Sequence, residues 1–238
     1  MAERFVRGWK VAPDRLQGLV GSKQLAAVEV LKSEANANYL NDVFMTLGDD
    51  KAEGKKVVKN ALEAIFKGPL ELEQAYEYAR VTELLLNHAA RPCGDEILMQ
   101  LTYYMPNDAF GRWNPVLKIL GLPVLAGLWG ETNLTFPWPG GTSDVDWPAW
   151  TLLQGASLEA IEAELKPITR EHLNALSDAA LVDEEGANWG ANDCRDELWA
   201  GLEQLRSWVT EVRCDEAKDG LAFAKQGNSL LLLMDGSQ

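Results

Sequence analysis

The chain has 238 residues, 47% of them apolar, with 36 acidic against 22 basic side chains and a formal net charge of -14. That length suits one large domain or two small ones, with about 70% of the unfolded chain's surface buried on folding. The negative field disfavours nucleic acid and anionic membrane surfaces and favours cationic partners. Three cysteines, Cys93, Cys194 and Cys214, do not pair off evenly and fit a reducing compartment.

Phe5, Arg7, Trp9 and Val11 alternate with Val6, Gly8 and Lys10, which predicts an opening strand over 4–11. Pro13 and Asp14 open a short helix with Leu16, Leu19 and Val20 on one face, closed by Gly21. Ser22 is placed to cap a second helix carrying Leu25, Val28 and Leu31 inward. GDDKAEGKK at 48–56 reads as a solvated loop, and Lys56 to Phe66 as an amphipathic helix ended by Gly68.

The longest pattern is the central helix, Leu70 to His88. Its apolar residues cover most of the circumference, so the helix is expected to be enclosed. Arg91 to Gly94 reads as a turn. Asp95 could cap a short helix through Ile97, Leu98 and Leu101, and Asn114-Pro115 marks a helix start ended by Gly121. From 121 to 150 the texture changes, with four of the nine tryptophans and four prolines. This stretch predicts one strand near 124–129 and then a long Trp/Pro/Gly-rich loop insert. Loops of that length inside a compact domain are often functional.

Ser157 and Thr169 cap two helices, with Leu158, Ile161 and Leu165 inward on the first and Leu173 and Leu176 on the second. After an acidic loop at 183–193, Leu198, Leu202, Leu205, Val209 and Val212 form a helical seam expected to pack on the central helix. A last helix is expected from about Asp215 to Lys225. The apolar run at 229–234 suits a strand buried on both faces. No repeat or linker interrupts the chain. The fold class expected is therefore α+β, mostly helical, as a single domain over 1–238 with a small sheet at 4–11, 124–129 and 229–234. No apolar run is long enough to span a membrane and no signal-peptide pattern opens the chain, so a cytoplasmic setting is expected.

No P-loop, dinucleotide fingerprint, nucleophile elbow or CxxC is present, and no cofactor or catalytic residue is expected. His88 lies five residues before Cys93, which formally permits a Cys-His couple. A histidine in a last helical turn that meets the dipole explains the same position. Asp144 and Asp146 could hold a hard cation, but the calcium-loop pattern fails, because Gly155 and Ser157 stand where a glutamate is needed. Asx-turns account for the same aspartates, and no metal is expected.

Residues 178–216 carry 11 acidic side chains and three arginines, Arg195, Arg206 and Arg213, more than half of the chain's net charge. A solvated face is one reading. The other is a docking surface for a protein with a basic surface, with Trp189 as an aromatic anchor. The candidate contacts are Trp138, Asp144, Asp146 and Trp147 in the insert, and Asp183, Glu184, Glu185 and Trp189 in the acidic loop. An alternative is a small-molecule or nucleotide-derivative enzyme or sensor with a Trp-lined groove at 129–150, Asp144 or Asp146 serving as acid, base or cation ligand. No feature sets the oligomeric state.

RFVRGWKVAPDRLQGLVGS, LELEQAYEYARVTELLL, SLEAIEAELKPITREHLNAL and the close from ELWAGLEQLRSWVTEVR to SLLLLMD together resemble the YfbM-like family of small bacterial proteins. The likeness is one of pattern. The chain departs from it in the insert at 121–150, in an extra helix near 55–66, and in the central helix, where Tyr78 is followed by Ala79 and Arg80. The resemblance implies an α+β fold and a bacterial cytosolic setting, and transfers no catalytic residue. By analogy with relatives that lie beside toxin systems, it also implies an immunity-type inhibitor.

Overall fold

The computed structural model describes residues 4–28, 31, 43–44, 47–95, 97–98, 113–128, 149–181, 190–214 and 229–236. The fold is α+β and mostly helical, built around an antiparallel sheet. Strand β1 (Arg4–Val11) pairs along its whole length with β5 (Ser229–Gly236). Its other edge carries two short strands, β2 (Arg91–Pro92) and β3 (Ile97–Leu98). Strand β4 (Ala149–Leu153) pairs with the far edge of β5.

Both faces of this sheet are covered. Leu230 and Leu232 point into one core and Leu231 and Leu233 into the other, all four fully buried, as their unbroken apolar run predicts. Each such leucine contributes about 1.5–3 kcal/mol relative to an exposed one. Trp9 and Val11 join Leu231 and Leu233; Val6 joins Leu230 and Leu232. The pleat of β1 thus sorts its side chains between two helical layers.

The first layer holds α1 (Pro13–Gln17), α2 (Lys51–Lys67) and α3 (Ala75–Ala89), the last preceded by a 3-10 turn at Leu72–Gln74. Helix α3 is the expected central helix with a shorter start: Leu70 and Glu71 are outside it, and from Tyr78 to Leu86 every residue but Arg80 is buried. Tyr76, expected inward, is exposed. Helix α2 begins five residues before the predicted Lys56, inside the stretch read as a loop. Asp50 explains this, since its Oδ1 accepts from the amides of Ala52 (2.7 Å) and Glu53 (2.9 Å). Glu53 Oε2 accepts in turn from the Asp49 amide at 3.0 Å. Gly54 completes the start, because a Cβ there would stand 1.9 Å from the Phe44 carbonyl oxygen.

The second layer holds α4 (Trp113–Ile119), α5 (Pro123–Ala126), α6 (Ala156–Leu165), α7 (Arg170–Asn174), α8 (Asp178–Leu181) and α9 (Ala191–Arg213). All five seam residues of α9 are buried, but against the sheet and α6–α7, not against the central helix. The sheet separates them, since each of its apolar faces needs its own cover. Trp208 of α9 lies on β1 at Gly8, where an added Cβ would come within 2.8 Å of the indole.

Three further expectations are corrected. The strand near 124–129 is a helix over Pro123–Ala126, because Pro123 starts it and the Glu164 carboxylate accepts from the amides of Val124 (2.8 Å) and Leu125 (2.9 Å). Ile97 and Leu98 form a strand, not a helix, taken up by the free edge of β1. Ser22 does not cap, since helix begins only at 26 and its buried hydroxyl has no hydrogen-bond partner. Val28 and Leu31 are buried as expected, whereas Leu25 is exposed. The helix expected at 215–225 lies outside the described residues.

Candidate functional site

Helices α6 to α9 carry ten carboxylates against four arginines, a net of six negative charges. The arginines do not simply neutralise this face; they organise it. Arg195 is buried in α9. Its Nη2 donates to the Leu176 carbonyl (2.6 Å) and Asp178 Oδ1 (2.7 Å), its Nε to the Leu173 carbonyl (3.3 Å) and its Nη1 to Asn192 Oδ1 (3.0 Å). One side chain therefore satisfies the carbonyls at the end of α7 and fixes the start of α8. Arg206 does the same for α6, donating to the carbonyl of Leu165 at 2.7 and 3.0 Å and to that of Ile168, with its guanidinium 5.2 Å from the Trp199 ring centre. Arg170 binds Asp196, and Arg213 binds Glu162 and, at 3.5 Å, Glu159.

The carboxylates so held still face water. The Asp178 side chain is 79% exposed, and those of Asp196 and Glu159 are each 67% exposed. The layer thus presents negative charge from fixed positions. A planar guanidinium suits this task, since its fork holds a carbonyl and a carboxylate at once. Glu211, further along α9, binds Arg91 at 3.3 Å.

The opposite face of the sheet holds a polar pair among apolar side chains: Arg7 on β1 and Glu83 on α3, 2.5 Å apart. Beside it Trp9 and Trp150 meet with ring centres 6.0 Å apart and planes at 41°. The indole N–H groups of Trp9 and Trp150 are buried without an acceptor, as is that of Trp208 on the other face. Trp150, the last residue of the predicted insert, is thus a core side chain on β4.

Cys93 is buried, and its amide donates to the Gly8 carbonyl at 2.8 Å. Burial first, then the Glu211 carboxylate, pushes its thiol up to about 12. A thiol so protonated is no nucleophile at neutral pH. His172 sits in the first turn of α7, where Nδ1 accepts from the Thr169 amide at 3.1 Å. Among the described residues no three His, Cys, Asp or Glu side chains gather as a metal site.

All eight predicted contacts, Trp138, Asp144, Asp146, Trp147, Asp183, Glu184, Glu185 and Trp189, lie outside the described residues, as does the side chain of His88. Sequence reasoning missed the carboxylate supports of α6–α9 and the Arg7–Glu83 pair. The second had a signal, since Arg7 shares the inward face of β1 with Trp9 and Val11. A charge on a core-facing position asks for a partner. Comparison of the chain with protein-family models, curated proteins and solved structures finds no match.

Proposed function

We propose that the chain is a non-enzymatic binding protein, an inhibitor of the immunity type that blocks a toxin with a basic surface. The acidic α6–α9 layer is its docking face, and Trp138, Asp144, Asp146, Trp147, Asp183, Glu184, Glu185 and Trp189 remain the contacts expected from the sequence. Kinship with the YfbM-like family, and with it a bacterial cytoplasmic setting, belongs to the same proposal. The observation that carries it is the set of exposed carboxylates held by Arg170, Arg195 and Arg213. Carboxylates fixed before contact lose little freedom on binding and steer a cationic partner in.

The test is a pull-down from the native host at low and at high salt, with captured proteins identified. A basic partner is expected, held at low salt and lost on reversing charge at Asp183, Glu184, Glu185 and the exposed Glu203. A partner retained equally by that variant and at high salt would refute the proposal.

A second reading is a small-molecule or nucleotide-derivative enzyme or sensor. The Trp9–Trp150 contact favours it, because two buried indole donors without acceptors stand beside a guanidinium–carboxylate pair. A thermal-shift screen over metabolites and divalent cations separates the readings. A shift lost in Trp150→Phe or Asp144→Ala supports the second one.

A further inference from the structure

Helix α2 carries five lysines and two glutamates, and all five lysines are exposed. Lys51, Lys55 and Lys59 follow one another at four-residue spacing, a line about 12 Å long on one face of the helix. Lys56 flanks it. Glu63 binds Lys67 at 2.7 Å and Lys59 at 3.7 Å. Lys51, Lys55 and Lys56 have no carboxylate within ion-pair distance among the described residues; Lys55 instead lies 5.8 Å from the Phe44 ring centre.

This arrangement is unfavourable for the helix itself. Like charges four residues apart repel, and lysines in the first turns oppose the helix dipole. Nor is it forced by a shortage of anions, since acidic side chains exceed basic ones by fourteen. Five arginines elsewhere, Arg7, Arg91, Arg170, Arg195 and Arg213, each hold a carboxylate, whereas the exposed lysines Lys23, Lys118 and Lys166 stand singly rather than in a row. The buried face of α2 is Gly54, Val58, Ala61, Leu62, Ile65 and Phe66, and of the lysines only Lys55 touches the core, at the Phe44 ring.

We propose that the lysine face of α2 docks an acidic segment of a second protein. Carboxylates spaced one helical turn apart would meet Lys51, Lys55 and Lys59 in register, with Lys56 flanking. Physiological salt limits electrostatic reach to about 8 Å, so a contacting segment feels these lysines more than the distant acidic layer. A long nucleic acid would extend beyond the lysines and meet the chain's overall negative charge. The α6–α9 layer lies across the sheet from α2, so one chain could hold a basic and an acidic partner together.

The probe is a dye-labelled poly-glutamate peptide, its binding read by fluorescence anisotropy on the whole chain. The Lys51→Gln/Lys55→Gln/Lys56→Gln variant is expected to bind it about tenfold more weakly or worse, with an unchanged circular dichroism spectrum and melting temperature. Glu203→Lys, across the sheet, is expected to leave binding unreduced. No binding by the native chain, equal binding by the triple variant, or tighter binding of a single-stranded oligonucleotide of the same charge would each overturn the proposal.

Discussion

Helix α2 has five lysines and no arginine; helix α9 has three arginines and no lysine. The two lie on opposite sides of the sheet and bury an apolar stripe in much the same way. They differ in where positive charge goes. Two of the three α9 arginines, Arg195 and Arg206, reach neighbouring backbone carbonyls, so their charge belongs to the fold, while Arg213 pairs with carboxylates at the surface. Most α2 lysines stay in water, so their charge belongs to the surface. The comparison teaches that net charge alone says little about what a charged residue does. Burial and the geometry of the head group decide it.

The largest expected effect breaks the α9 side. Arg195→Ala leaves the Leu173 and Leu176 carbonyls without their donor and is expected to cost about 2–4 kcal/mol in urea unfolding. Arg195→Lys should recover less than half of that, because a lysine cannot span the same acceptors. Next, Gly8→Ala drives a methyl group into the Trp208 indole and should cost about 1–3 kcal/mol. A smaller side chain at Trp208 should reduce the penalty in a double-mutant cycle.

Asp50→Ala removes the cap that starts α2 and should cost about 1 kcal/mol, read as a fall in melting temperature. The Lys51, Lys55 and Lys56 to Gln changes should move stability by less than about 0.5 kcal/mol. The two long helices would then differ in substance if Arg195 is costly and these lysines are not.

Cys93 adds a pH test of the sheet between the layers. Its thiol is raised from about 9 to about 12, so the native fold disfavours the thiolate. The stability tied to the neutral thiol is complete below the unfolded thiol's pKa. It falls as pH rises from there towards 12. Alkaline unfolding should therefore be shallower in Cys93→Ala. Below pH 8, iodoacetamide should label exposed Cys214 and spare Cys93.

Much of the framework was legible because it is local. Alternation marked β1, an unbroken leucine run marked β5, and a repeating seam marked α9. What failed depended on distant residues. Val124 and Leu125 look like strand, but Glu164, about forty residues on, supplies the carboxylate for a helix start. Ile97 and Leu98 had no helical fate once β1 offered an edge. The charged stretch at 48–56 is the exception: the cap from Asp50 to the Ala52 and Glu53 amides is local and was readable as Asp50 followed three residues on by Glu53, and only the Gly54 contact with Phe44 is distant. The acidic third was legible as charge, but the placement of its carboxylates depended on where Arg195 and Arg213 reach.

The position of β5 has a consequence for biosynthesis. Residues 229–236 complete a sheet whose other long strand starts at residue 4, and they lie between β1 and β4. A nascent chain leaving the ribosome must therefore carry two unfinished leucine- and tryptophan-rich surfaces until residues 229–236 have emerged. Such an intermediate is a natural client for chaperones. A stop codon even ten residues before Ser229 should yield an insoluble product rather than a shortened working one.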